Sequence, residues 1–154
     1  MIRKVLKENK KRNKELRKVS SKVVKFDLSI AKVVIDLRDT MRALGGVGIA
    51  APQIGIAKRI IVLRKQKGRL ESDLVMINPK ILEVSKSKAS TKESCLSVPR
   101  IIASVQRVNE IYITYQDQTG AEHKAILSDQ TSIIFQHELD HLNGILFIDH
   151  LQKD

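Results

Sequence analysis

The chain of 154 residues has a single cysteine, Cys95, no strongly apolar run longer than the four residues Ile60–Leu63, and no internal repeat. One thiol excludes an intrachain disulfide and suits a reducing compartment. Four apolar residues fall far short of a signal h-region or a membrane span, so no membrane partner is expected and the chain reads as soluble and cytoplasmic. Without repeats or further low-complexity segments, this length fits one ordinary domain with a full core.

Acidic residues are scarce at one end only. Residues 1–25 hold eleven Lys/Arg against two Asp/Glu, whereas residues 26–154 hold seventeen against fifteen, so nine of the eleven net positive charges lie in the first segment. That segment reads as a basic N-terminal arm, and the remainder, 26–154, as a single domain that carries the chemistry. The arm is expected to be solvated, to face RNA or the ribosome surface, or to act as a weak targeting segment; its Lys-rich composition fits targeting least.

What the remainder does contain is "IIFQHELDHLNG" at residues 133–144. His137 and His141 are four residues apart, and at about 3.6 residues per turn both imidazoles fall on one helix face, where they can grip one cation. Glu138 can then reach a water on that cation as a general base without ligating it, as a metal-assisted hydrolase requires. With four His and eight Glu in the chain, chance would produce this pattern in only about half a per cent of such sequences.

A scaffold for this helix is legible around it. Asp27 is a candidate N-cap, and Ile30, Val34, Leu37, Met41 and Leu44 recur at helical spacing up to Gly45-Gly46. "KRIIVLRK", "LVMINP" and "KILEVS" are rich in β-branched residues and are broken by Gly68, Pro79 and Ser/Lys clusters, so three strands are expected. Ile111, Ile113 and Tyr115 alternate with polar neighbours, and "DQTG" leads into "AEHKAIL", predicting a hairpin. The second helix should run from about Asp129 to Asn143 and stop at Gly144. An N-terminal helix, antiparallel-type strands and a second helix make an α+β order, not the strict alternation of a parallel βαβ fold.

The third ligand is not downstream where zinc proteases place it. No Glu follows Glu138, and Phe147 stands where the longer His-Glu-x-x-His-x-x-Gly-x-x-His motif has its last histidine. His150 and Asp149 lie just past the helix stop. Upstream, Cys95 in "KESCLSVP" is the favoured donor, since a thiolate with two imidazoles and an open position forms a catalytic set; a buried apolar cysteine is the competing reading.

Three stretches, "GGVGIAAPQIG" at 45–55, "ESCLS" at 93–97 and "QHELDH" at 136–141, resemble the three motifs of the peptide deformylases, in the family's order. The resemblance covers residues 27 to the C-terminus and implies an α+β fold and removal of the formyl group from the N-terminal formylmethionine of nascent polypeptides, releasing formate. It implies Cys95, His137 and His141 as ligands of one divalent metal ion, with Fe(II) expected and Zn, Ni or Co possible. Glu138 would be the general base and acid, with the Gln53 amide and the Leu96 N–H as oxyanion donors. The backbone at Gly46, Val47 and Gly48 would align with the nascent formyl-Met peptide, and Val47, Ile133 and Ile134 would line the methionine pocket.

Two departures stand out. Ser94 replaces a glycine, which is tolerable unless the backbone there needs a positive φ. Gln130, Thr131 and Ser132 make the approach to the metal helix polar, predicting a more polar pocket rim. Asp140, Arg107 and Glu93 are candidates for a network that orients the ligands. A binding module that keeps the site as a relic is the alternative; intact Glu138 and Gln53 favour the enzyme.

Overall fold

Asp27 starts the first helix by accepting hydrogen bonds from the Ser29 and Ile30 N–H groups in the computed structural model, which describes residues 1–64 and 73–151. Helix α1 (Leu28–Ala43) buries Ile30, Val34, Leu37 and Met41, the expected stripe. Leu44, expected to complete it, is 47% exposed because it is the C-cap, one step beyond the last helical turn.

Seven strands follow: β1 (Gly48–Ala50), β2 (Ile60–Leu63), β3 (Leu74–Val84), β4 (Lys88–Cys95), β5 (Val98–Val108), β6 (Glu110–Gln116) and β7 (Glu122–Ser128). Five form an antiparallel sheet in the order β1-β2-β3-β6-β7, and β4 and β5 pair as a separate hairpin. The second helix, α2 (Asp129–Leu142), closes the set, and Gly144 beyond it takes φ 73°.

Strand alternation sorts the core onto two faces. Ile60, Val62, Val75 and Ile77 pack with α1, while Ile61, Leu63 and Met76 pack with Phe135 and Leu142 of α2. β2 is therefore buried on both sides, which is why "IIVL" is a continuous apolar run. Each such side chain contributes about 1.5–3 kcal/mol by leaving water. The α+β architecture is as expected, with the metal-motif helix against the sheet and in contact with β5 of the hairpin.

Two strand expectations change. "LVMINP" and "KILEVS" belong to one strand, β3: register moves from Ile77↔Gln116 to Lys80↔Thr114, so one extra residue bulges where Asn78 takes φ 52°. The bulge absorbs Pro79, which has no N–H for the ladder. The β4–β5 hairpin has no counterpart in the expected strands, because its alternation is carried by Ala89, Thr91 and Glu93 rather than by large apolar residues. The break expected at Gly68 lies outside the described residues.

Residues 1–25 run along the body. Val5, Leu16 and Val23 are buried, and backbone N–H groups of Leu6, Glu8 and Ser20 donate to the carbonyls of Gln53, Ser97 and Leu142, each at 2.8 Å. Asn78 receives Val23 N–H at 2.8 Å and returns a bond to its carbonyl at 2.9 Å. The expected solvated arm is thus corrected to a packed strap; its few apolar residues are irregularly spaced among lysines, so no periodicity marks them. Among the described residues, no helix is long and apolar enough to cross a membrane.

Candidate metal centre

Cys95 ends β4 beside a register shift, paired with Val98 across a turn made by Leu96 and Ser97. This turn carries the thiol toward α2, whose four-residue spacing sets the His137 and His141 rings 5.1 Å apart. One ligand atom from each of Cys95, His137 and His141 lies within 4.8 Å of the others, and Cys95 Sγ is 3.3 Å from His141 Nε2. Tetrahedral bonds of about 2.0–2.3 Å put neighbouring ligands roughly 3.3–3.8 Å apart, so the three donors fit one ion after small adjustment.

The supporting contacts fix which atoms face inward. His137 Nδ1 is 2.8 Å from Glu93 Oε1, which leaves Nε2 for a cation. Arg107 holds Glu93 with two bonds, at 2.8 and 2.9 Å, and Asp140 with a third at 2.7 Å, forming the anticipated network. His150 and Asp149 are not at the site: His150 Nε2 meets Asp140 Oδ2 at 2.8 Å, and Asp149 pairs with Arg17. Phe147, which fills the place of a third histidine, stacks on His137 with centroids 5.9 Å apart. No motif in the sequence signals the His150 and Phe147 contacts.

The electrostatics match this division of labour. Burial and the nearby charges of His137 and Arg107 lower His141 well below the usual histidine range, which keeps it the neutral imidazole that a metal needs. Burial opposes charge on His137, but hydrogen bonds to Cys95 and Glu93 outweigh it and raise this group to about 10. The site therefore draws in positive charge, and a divalent cation would compete with that proton. Burial also resists ionisation of Glu93, yet bonds from Arg107 and His137 lower it to about 2. Glu138 is raised to about 7, chiefly by burial, and its Oε2 has no hydrogen-bond partner among the described residues.

Gln53 is placed by a short 3-10 helix, Ala51–Ile54, that Pro52 helps to start. Its Oε1 accepts from Ala50 N–H at 2.9 Å, so the amide NH2 turns to Ser97 Oγ at 3.2 Å and Cys95 Sγ at 3.6 Å. Gln53, Cys95, Leu96, His137 and Glu138 line one cavity of about 630 Å³, and His141 is buried behind it. The expected substrate residues Gly46, Val47, Gly48, Ile133 and Ile134 line the same cavity. Gly48 is required by close approach, since a Cβ there would stand 2.8 Å from Glu138 Oε1 and 2.9 Å from Ile134 Cγ2.

Of the polar residues expected at the rim, Gln130 lines the cavity, but Ser132 is wholly buried and donates its hydroxyl to Val108 O at 3.0 Å. It sits two residues along the helix, turned to the end of β5. Asp129 and Lys92 line the mouth without having been expected there. Ser94 is not among the residues with positive φ, so the missing glycine leaves no strain.

A family model described as Polypeptide deformylase matches residues 2–154. The chain is 38% identical to a peptide deformylase of Synechocystis over 142 residues, 92% of this chain and 76% of that one. It is 41% identical to that of Pseudothermotoga lettingae over 134 residues, 87% and 75% of the two chains. Among solved structures, the peptide deformylase of Thermotoga maritima superposes with a TM-score of 0.91 at 34% identity, covering 99% of both chains. A Met-Ala-Ser-bound peptide deformylase of Acinetobacter baumannii gives 0.90 at 31% identity, covering 98% and 99%.

Proposed function

We propose, for a chain that belongs to the polypeptide deformylase family and removes the formyl group from the N-terminal formylmethionine of nascent polypeptides, a working site built from three segments. Cys95, His137 and His141 hold the metal ion on which the family depends, and Fe(II) is the physiological ion, with Zn, Ni or Co able to replace it. When bound, the ion supplies Lewis acidity that lowers the pKa of water and polarises the formyl carbonyl.

The chain's own residues move the protons. Glu138, buried and raised to about 7, takes a proton from the attacking water and delivers it to the amine that departs as the C–N bond breaks, leaving formate and a free N-terminus. The Gln53 amide and the Leu96 N–H donate to the formyl oxygen as it gains charge. The substrate backbone lies beside residues 46–48, and the methionine side chain packs against Val47, Ile133 and Ile134. The Acinetobacter relative binds Met-Ala-Ser, a tripeptide that begins with methionine, which supports a substrate of this kind.

The observation that carries this reading is one cavity lined by a metal ligand pair, a carboxylate with a free oxygen and an oriented amide. Metal-loaded protein, kept anaerobic, should release formate from formyl-Met-Ala-Ser, and no formate would sink the reading. Cys95→Ser should lose metal as well as rate. We place the protein in the cytoplasm, where its lone thiol stays reduced. Residues 1–25, whose lysine and arginine side chains are mostly exposed, supply an RNA or ribosome contact. Binding to ribosomes that did not weaken with salt would remove that assignment.

A further inference from the structure

We infer that Lys7 is a positioning residue that tunes the Cys95 thiolate through a single peptide group. The inference rests on Cys95 being a metal ligand, as proposed above. Lys7 Nζ donates to the carbonyl oxygen of Leu96, and the N–H of that same amide, which belongs to Ser97, donates to Cys95 Sγ at 3.4 Å. The strap holds Lys7 in place on both sides. Leu6 N–H donates to Gln53 O and Glu8 N–H to Ser97 O, each at 2.8 Å, and the Lys7 carbonyl accepts from Asn13 Nδ2 at 2.9 Å.

A cationic donor on a carbonyl pulls electron density toward oxygen and makes the N–H at the other end of the amide a stronger donor. Cooperative strengthening of this kind is roughly 10–30% per bond. Its recipient here is the sulfur that also faces the Gln53 amide at 3.6 Å. Lys7 therefore reduces how much charge the thiolate gives to a bound metal, although its own side chain is exposed and does not line the cavity.

Cobalt(II) loaded into the protein reports this directly, because the energy of its thiolate-to-metal charge-transfer band follows the electron density on sulfur. Lys7→Met should move the band to longer wavelength, Lys7→Arg should restore it, and Lys10→Met, which removes an exposed charge from the same segment, should leave it in place. A band that stays put in Lys7→Met, or that moves equally in Lys10→Met, overturns the inference while leaving Cys95 as a ligand. A wild-type protein with bound cobalt and no thiolate band overturns the ligand assignment and the inference together.

Discussion

Replacing Glu138 with glutamine keeps the side-chain shape and removes the proton acceptor. The expected outcome is a fall in kcat of about 10²–10⁴ with metal content unchanged, measured by formate release alongside metal analysis. Equal rates for variant and wild type would end the role given to this carboxylate. Arg107→Ala acts differently, because it takes from the buried Glu93 carboxylate its two guanidinium hydrogen bonds and leaves it His137 as its closest partner. It should destabilise by about 3–5 kcal/mol in thermal or urea melts. Metal affinity should drop about 10–100-fold in a chelator competition, since Glu93, which orients His137, loses its own anchor. Of these residues, His137, Glu138 and His141 were legible from spacing, because one helix holds all three. Cys95 stands 42 residues before His137, beyond the reach of any local periodicity; the chemistry of the chain's one thiol made it the favoured donor, and the resemblance to a known motif strengthened that choice. His150 and Phe147 act through contacts made after the helix ends, where residue type carries no signal.

At the level of elements, α1 and the β6–β7 hairpin were legible because their apolar residues repeat at the period of the structure they form, and α2 because of its histidine spacing and the Gly144 stop. The β4–β5 hairpin and the strap were not, since their buried positions are held by small or polar residues and by isolated aliphatics. The strap can be tested at Gly144, where φ is 73° and an added Cβ would lie 2.3 Å from Arg17 O. Gly144→Ala must push the strap off the end of α2. It should cost more than about 1 kcal/mol and raise proteolysis near residue 17 well before the core unfolds. If melting and cleavage match wild type, the strap is not seated as described.

For the whole molecule, acid should loosen the strap first. Glu8 accepts bonds from the Asn9 and Asn13 backbone and from Arg17. Burial works against its ionisation, but these donors win and hold its pKa below the usual 4.5. A carboxylate lowered by folding contributes its full stabilisation above that usual value and loses it as pH falls toward the folded value. Melting temperature should therefore drop more steeply below about pH 4.5 in wild type than in Glu8→Gln, and identical profiles would exclude the contribution. Ionic strength is a second lever on the whole surface. With a net charge of +11, any binding to RNA should weaken markedly as salt rises.

The bond from Ser20 N–H to Leu142 O ties the start of the chain to the last residue of the metal helix. Its partners are made at opposite ends of synthesis. While the chain is still being made, residue 20 emerges long before its partner, and the strap must wait until residue 142 has followed. In a protein that acts on unfinished polypeptides, the strap thus closes only after α2 has been made, so its seating follows the folding of the metal helix rather than guiding it.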